Sequence, residues 1–359
     1  MKEPPPSPTL TSMRQQTFQA LTVREAVGNQ FIREIISKNI SDLPANDVLI
    51  NVLYSSLNYK DALSATGHKG VTKNYPHTPG IDAAGIVIES NKPEFKKGDQ
   101  VIVTGFDLGM NTPGGFGQYI RVPAQWIVKL SRLALPRRQA GGRQAKNLSL
   151  KESMIFGTAG LTAALSLVKL EQMGLNAAKG EVLVTGATGS VGSTAVAILA
   201  QIGYHVVAAT GKTHEKNFLL EIGAKKVIDR EQINDTSGKP LLKERWAGVI
   251  DTVGGNILST AIKSTQYGGS VSCCGLVASH DLHSTIYPFI LRGVNLLGIA
   301  SAEAPIEMKR HIWHKLSTGW KPDCLDRLYT ECSLKELEPK IDAMLKGNST
   351  GRTVVNLKL

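Results

Sequence analysis

The stretch Val184-Thr185-Gly186-Ala187-Thr188-Gly189-Ser190-Val191-Gly192 decides how the chain is read. It follows a short apolar run, Glu181 to Val184, that reads as a strand. It opens a small-residue run, Ser193 to Gly203, that reads as a helix. Glycines recur at every third position across the junction. That spacing lets backbone N–H groups and a helix N-terminus come up to a pyrophosphate. The form is Gly-x-x-Gly-x-x-Gly rather than Gly-x-Gly-x-x-Gly, and a bare glycine triplet also fits an ordinary turn. Context separates the two readings, because a second strand, Tyr204 to Thr210, completes a strand–helix–strand unit. The stretch therefore predicts a dinucleotide site.

Further strands are expected downstream at Lys226 to Asp229, Gly248 to Val253, Ser270 to Cys274 and Asn295 to Ile299, with helical segments between most of them. That alternation calls for a doubly wound parallel sheet covered on both faces, an α/β fold. Upstream, Leu150 to Met173 is helical in pattern and broken at Gly157-Thr158-Ala159-Gly160. Gln16 to Val128 reads as β-rich, with strands at Val48 to Tyr54, Ala84 to Glu89 and Gln100 to Val103. Pro305 to Lys346 reads as mostly amphipathic helix. A last strand, Thr353 to Leu357, is placed to return to the first domain.

A length of 359 residues suggests about two domains. With 42% hydrophobic and 20% charged residues, the chain is globular in composition and can bury a sizeable core. No membrane span and no secretory leader are expected, and Met1 to Met13 reads as a disordered, proline-rich tail. The four cysteines, Cys273, Cys274, Cys324 and Cys332, suggest buried structural thiols in a reducing, cytoplasmic setting rather than a disulfide framework. The net charge is +11, and the segment Ser131 to Lys146 holds Arg132, Arg137, Arg138, Arg143 and Lys146 without an acid. Such a run attracts phosphates or is a solvated insertion loop.

The residues after the second strand select the cofactor. An NAD site commonly has an acid there for the ribose 2′-hydroxyl. Here the strand ends Ala209-Thr210-Gly211-Lys212-Thr213. Lys212 is a cation where a 2′-phosphate would sit, with Thr210 and Thr213 as hydrogen-bond donors, and Lys226 opens the next strand. This favours NADPH, the alternative for Lys212 being an exposed loop lysine.

The matching words Ser55-Ser56-Leu57-Asn58-Tyr59-Lys60-Asp61-Ala62-Leu63, Pro79-Gly80-Ile81-Asp82, Gly157-Thr158-Ala159-Gly160, Ile250-Asp251-Thr252-Val253-Gly254, Pro288-Phe289-Ile290-Leu291-Arg292 and Gly351-Arg352-Thr353 carry a resemblance. They span nearly all of the chain from Met13 onward. The chain resembles a zinc-free medium-chain dehydrogenase/reductase of the quinone-oxidoreductase group, and within it the acrylyl-CoA reductase branch. The resemblance implies a GroES-like β-rich domain over residues 14–150, interrupted by the basic insertion at 131–146. It implies a Rossmann domain over 151–300 and a C-terminal segment, 301–359, returning to the first domain. It implies NADPH in the cleft between the domains, and a homodimer. Tyr59 would border the nicotinamide. Thr188, Gly189, Ser190 and Val191 would hold the pyrophosphate. Thr210, Gly211, Lys212 and Lys226 would surround the 2′-phosphate, and Ser272, Gly275 and Ile286 would line the path from adenosine to nicotinamide. Arginine is usual in the family where Lys212 and Lys226 stand, and lysine keeps the charge without the planar fork.

Many relatives in that family hold catalytic zinc, which needs three protein ligands and an open position. No cysteine precedes Cys273. His68 and His77 lack a Gly-His-Glu pattern, and no cysteines cluster near positions 107–117. A metal-free site is expected, with both histidines as ordinary loop or satisfied residues. Without a Lewis acid, a conjugated enone or enoyl thioester suits hydride transfer better than an alcohol. Hydride adds at the β carbon, and charge moves to the carbonyl oxygen. Tyr59 is the candidate donor or proton source, with Asn58 and Asp61 ordering its loop. The alternatives are that Tyr59 only packs on the cofactor and that water gives the proton. Arg292 is a candidate for a substrate phosphate, or else a surface ion pair. The leading expectation is an enzyme that reduces acrylyl-CoA to propanoyl-CoA with NADPH. The near alternative is an NADPH:quinone or general enone reductase. The remote one is an NADPH-binding protein without turnover that contacts nucleic acid.

Overall fold

A computed structural model describes residues 16–132 and 148–359. The tail at 1–13 and most of the basic segment at 131–146 lie outside the described residues. The chain divides into two units: 1–132 with 331–348 and 353–359, and 133–330 with 349–352.

The first unit is built on antiparallel strands. A hairpin, β1 (Thr17–Ala26) and β2 (Gln30–Asn39), forms its own two-stranded sheet. The larger sheet uses β3 (Val48–Leu57), β4 (Asp82–Ser90), β5 (Gln100–Thr104), β6 (Tyr119–Val122) and β7 (Ile127–Lys129). A short helix, α1 (Tyr59–Ser64), follows β3 directly. Residues of these strands, among them Val48, Ile50, Val52, Val101, Val103 and Ile120, are buried in one apolar cluster. Gly80, Gly109 and Gly114 meet backbone to backbone, and a Cβ on Gly109 would lie 2.5 Å from the Gly80 carbonyl carbon. The same loop is tied by Asp107, whose carboxylate accepts from Asn111 Nδ2 at 2.8 Å and Thr112 Oγ1 at 2.9 Å.

The second unit is the parallel sheet. It opens with α2 (Leu150–Gln172), which is broken at Gly157, where φ is 51°. Its composition and length would let it cross a membrane, but 94% of its apolar window is buried, so it is a core helix. Then come β8 (Glu181–Val184), α3 (Ser190–Gln201), β9 (His205–Thr210), α4 (Lys216–Glu221), β10 (Lys226–Asp229), β11 (Trp246–Asp251), α5 (Gly255–Ser264), β12 (Thr265–Cys273), α6 (Tyr287–Arg292), β13 (Asn295–Gly298) and α7 (Ile306–Ser317). The sheet order is β10-β9-β8-β11-β12-β13, with every pairing parallel. Order reverses between β8 and β11, which is where doubly wound sheets bind ligands.

The chain then returns to the first unit. β14 (Tyr329–Ser333) and α8 (Leu337–Leu345) precede β15 (Arg352–Asn356), which pairs antiparallel with β3. The last strand thus returns as the sequence predicts. The stretch Pro305 to Lys346 differs, since two helices are separated by β14. The return to the first unit begins at Glu331 rather than 301, and α7 stays with the parallel-sheet unit. The helix after the glycines starts at Ser190 instead of Ser193. Small residues blur a helix start because no side chain marks it.

Candidate active site

Two stretches gather the residues singled out by sequence, one in each unit. In the first unit, β3 ends at Leu57 and α1 begins on Asn58. The Asn58 N–H donates to Asp61 Oδ2 at 2.8 Å. Asp61 Oδ1 accepts from the N–H groups of Gly80 and Ile81, at 3.1 and 2.8 Å. Asn58 Nδ2 donates to Asp82 Oδ2 at 2.7 Å, and Ser56 Oγ donates to the same oxygen at 2.6 Å. Asp61 and Asp82 are both fully buried. Burial, and then the neighbouring Asp82 charge, push the Asp61 carboxyl up to about 7. One residue from Asn58, Tyr59 stands 43% exposed at the first position of α1.

The side chains of Asn58 and Asp61 are thus buried and bonded to the start of α1 and to the loop at Gly80–Ile81. Asp82 was missed as a member of this set. The spacing of an acid at 61 and another at 82 carries no local mark, because the two meet only through the sheet.

In the second unit the glycines divide the labour. Gly186 has φ 57°, and a Cβ there would lie 2.4 Å from Thr252 Oγ1. A Cβ on Gly192 would lie 2.3 Å from the Gly186 carbonyl oxygen, so α3 can pack onto the turn only with glycine there. Gly189 is the residue before α3 and has no side-chain cap. The first N–H groups of a helix have no acceptor within it. Those of Ser190 and Val191 lie on a half-exposed stretch, Gly189 to Val191. Ser190 Oγ turns away from them and donates to the Gly351 carbonyl at 2.9 Å. The N-terminus is thus free of side-chain oxygen, a cradle that a Cβ or a capping carboxylate would fill, and it fits a pyrophosphate.

At the neighbouring strand end, Thr210 Oγ1 accepts from the Lys212 N–H at 3.0 Å and lies 3.2 Å from Thr188 Oγ1. Lys212 Nζ donates to the Ser349 carbonyl. Burial lowers the Lys212 pKa and the Glu215 charge raises it. Lys226 does not join this group. In the parallel register it pairs with Val207, while Asp229 pairs with Thr210. Three residues of strand separate those levels by about 10 Å. Arg230, just past β10, is the cation that lies beside Gly211, since a Cβ on Gly211 would touch its Cδ at 2.9 Å and its Cζ at 3.1 Å. Its Nε donates to Glu231 Oε1 at 3.3 Å, a pair open to solvent. The signal was available: a cation after the third strand, not at its start, lies level with the loop that follows the second.

Other expectations need correction. Ser272 is fully buried, and its hydroxyl donates to the Val249 carbonyl at 3.1 Å, so it lines no path. Gly275 does lie at a crowded turn, where a Cβ would meet the Thr252 oxygen at 1.9 Å. Ile286 is exposed at the start of α6. Arg292 is not available to a substrate phosphate. Its two terminal nitrogens donate to the Lys263 and Leu242 carbonyls, at 2.9 and 2.6 Å, and Nε lies 3.4 Å from Glu244. Cys273 and Cys274 are half-buried rather than buried. Burial and Asp251 push the Cys274 thiol up to about 12, which leaves it unreactive. His77 is buried; the Gly109 backbone bonds its ring, while its Nε2 has no hydrogen-bond partner. Burial lowers its pKa. Among the described residues, no group of three His, Cys, Asp or Glu side chains is placed to hold a metal.

The comparisons agree with this architecture. Residues 44–132 match the alcohol dehydrogenase GroES-like domain, and residues 190–317 match the zinc-binding dehydrogenase model. The chain is 42% identical to the putative quinone oxidoreductase YhfP of Bacillus subtilis, over 95% of this chain and 99% of that one. It is 39% identical to the acrylyl-CoA reductase AcuI of Ruegeria pomeroyi, over 89% of this chain and 92% of that one. Among solved structures, the YhdH oxidoreductase of Salmonella enterica in complex with NADP superposes with a TM-score of 0.87 at 38% identity, covering 94% of this chain and 99% of that one. YhfP with NAD bound superposes with a TM-score of 0.89 at 42% identity, covering 96% and 100%.

Proposed function

The chain belongs to the medium-chain dehydrogenase/reductase family of oxidoreductases, and from that premise we propose that it reduces the conjugated double bond of an enoyl thioester with NADPH, acrylyl-CoA to propanoyl-CoA being the leading substrate pair. The observation that carries the cofactor half is the uncapped start of α3 beside the cations Lys212 and Arg230. The N–H groups of Ser190 and Val191 would hold the pyrophosphate, and Lys212 and Arg230 the 2′-phosphate. The substrate half is supported by the name of the AcuI relative.

When bound, NADPH supplies the hydride. The protein's residues do the rest. The Tyr59 phenol donates a hydrogen bond to the substrate carbonyl oxygen as hydride reaches the β carbon and charge moves onto that oxygen. A proton then reaches the α carbon from Tyr59 or from water, which completes the saturated thioester and leaves NADP+. Asn58 and Asp61 fix the start of α1, so that the phenol is presented without searching. No metal is written into the reaction, because the described side chains offer no three-ligand set. Incubation with a chelator is expected to leave the rate unchanged, as measured by NADPH absorbance. The reading includes a homodimer, checked by light scattering.

A second reading, an NADPH:quinone or general enone reductase, is favoured by the 42% identity to the quinone oxidoreductase YhfP. Steady-state kcat/KM values for acrylyl-CoA and a simple quinone decide between them. A quinone preference overturns the thioester assignment. Within either reading, Tyr59→Phe is expected to lower kcat by about 10–100-fold with little change in cofactor affinity.

A further inference from the structure

The carboxyl end of the parallel sheet carries a fully buried carboxyl group that takes no part in the proposed reaction. Asp251 is the last residue of β11. The register pairs Ile250 with Val184, so Asp251 stands level with Thr185, the residue before the first glycine of the run. Thr185 Oγ1 donates to Asp251 Oδ1 at 2.7 Å. Asp251 Oδ2 accepts from the N–H groups of Gly254 and Val253, at 2.8 and 3.3 Å. Further bonds join the same two strand ends. The Thr252 N–H donates to Thr185 Oγ1 at 3.0 Å, and the Thr252 hydroxyl donates to the Thr185 carbonyl at 2.9 Å. The Thr185 N–H donates to the Ile250 carbonyl at 3.1 Å. Every polar atom of Thr185 is thus taken up by residues 250–252.

Thr185 passes this hold on to the open end of α3. The next residue, Gly186, lies at positive φ, and its carbonyl accepts the Gly189 N–H at 2.9 Å. Gly192 packs against that same carbonyl. The Gly186 peptide is therefore the seat of the helix start, and its place sets where the N–H groups of Ser190 and Val191 stand. On the other side, Gly275 packs against the Thr252 oxygen, and the Ala278 N–H donates to the Val253 carbonyl at 2.9 Å. One buried carboxyl group thus braces two turns at the point where the strand order reverses. Donors held in place before an anion arrives bind it at less ordering cost. A buried donor that loses its acceptor is costly, and a glycine-rich turn can shift to relieve that cost.

We propose that Asp251 is a positioning residue for the dinucleotide: acting through Thr185, its carboxylate holds the Gly186 turn where the N–H groups at the start of α3 meet the pyrophosphate. The proposal rests on the reading that a dinucleotide binds at the start of α3. It concerns one part of the cofactor. Lys212 and Arg230, which would take the 2′-phosphate, are bonded instead to Ser349 and Glu231.

The test is a calorimetric titration with NADPH and with adenosine 2′-phosphate, which carries the 2′-phosphate but no pyrophosphate. It compares wild type, Asp251→Asn, Thr185→Val, Thr185→Ser and the Thr185→Val/Asp251→Asn double variant. Asp251→Asn and Thr185→Val are each expected to weaken NADPH about 5–20-fold and to leave adenosine 2′-phosphate within about twofold. Thr185→Ser keeps the hydroxyl and the wild-type affinity for both ligands. In the Asp251→Asn background, Thr185→Val is expected to add less than about twofold, because the two residues act through one bond. Unchanged NADPH affinity in Thr185→Val overturns the proposal. So does an equal loss for both ligands, which a general loosening of the unit would give, and so do additive losses in the double variant. Failure of wild type to bind NADPH defeats the underlying reading, and the proposal falls with it. Should Asp251→Asn not fold, Thr185→Val and Thr185→Ser carry the comparison.

Discussion

Helices α1 and α3 both begin where a strand ends, but their first turns are built in opposite ways. The start of α1 is filled from inside: Asp61 takes the N–H of Asn58 and then those of Gly80 and Ile81. The start of α3 has glycine before it, no side-chain cap, and a serine whose hydroxyl points elsewhere. A filled N-terminus spends its donors on the fold and so fixes whatever stands beside it, here Tyr59. An open one keeps its donors for an anion. The same kind of backbone group is thus taken up by a side chain in one unit and left open in the other.

Closing the open end should have the largest effect. Gly189→Asp puts a capping carboxylate at α3, where φ is −74° and a Cβ meets the Gly186 oxygen at 3.3 Å. Dinucleotide affinity is expected to fall by about 100-fold or more, from occupied donors and charge repulsion together, while the melting temperature holds or rises. A loss of fold instead would show that Gly189 serves packing rather than binding.

Opening the filled end comes next. Asp61→Asn turns an N–H donor toward backbone N–H groups, and near pH 5 should cost about 1–3 kcal/mol of stability, read by denaturant melts. The carboxyl's folded pKa, about 7, is raised above its usual value of 3.8. Its contribution is therefore full below pH 3.8 and is lost as pH rises through 7. The gap between wild type and Asp61→Asn should accordingly narrow toward pH 8. A gap that widens instead would mean that the carboxylate, not the neutral acid, is the stable form.

Smaller effects test the rim of the open site. Arg230→Ala is expected to weaken NADPH about 5–20-fold and NADH no more than about twofold, as loss of one charged phosphate contact would. Lys226→Ala should change either affinity less than about twofold, since it lies beyond the reach of the phosphate. Reversed results for the two would show that the register, and not the strand end, had been misjudged.

The glycine stretch was readable because each of its glycines has a backbone reason, and those reasons are local. The strand boundaries at Glu181–Val184 and Lys226–Asp229 fell where the sequence placed them. The pairing of Asn58 with Asp61 around Tyr59 was also readable, since the two lie within one turn. Lys226 was singled out and Arg230 passed over, because which cation is level with Gly211 depends on pairing register between strands. Ser272 and Arg292 look like site residues in sequence, yet their donors go to carbonyls of other elements. The bond of Asp251 to Thr185 was invisible, since the two stand 66 residues apart. Chemistry set by neighbours along the chain is legible; chemistry set by neighbours across the sheet is not.

The pairing of β15 with β3 also bears on how the protein is made. Thr353 to Asn356 lie antiparallel to Leu57 to Tyr54, and Val354 and Val355 are buried. The ribosome synthesises this piece of the first unit only after the whole parallel-sheet unit. The domain begun first is therefore completed last, and until then β3 presents an unfilled edge that chaperones, or another nascent chain, can reach.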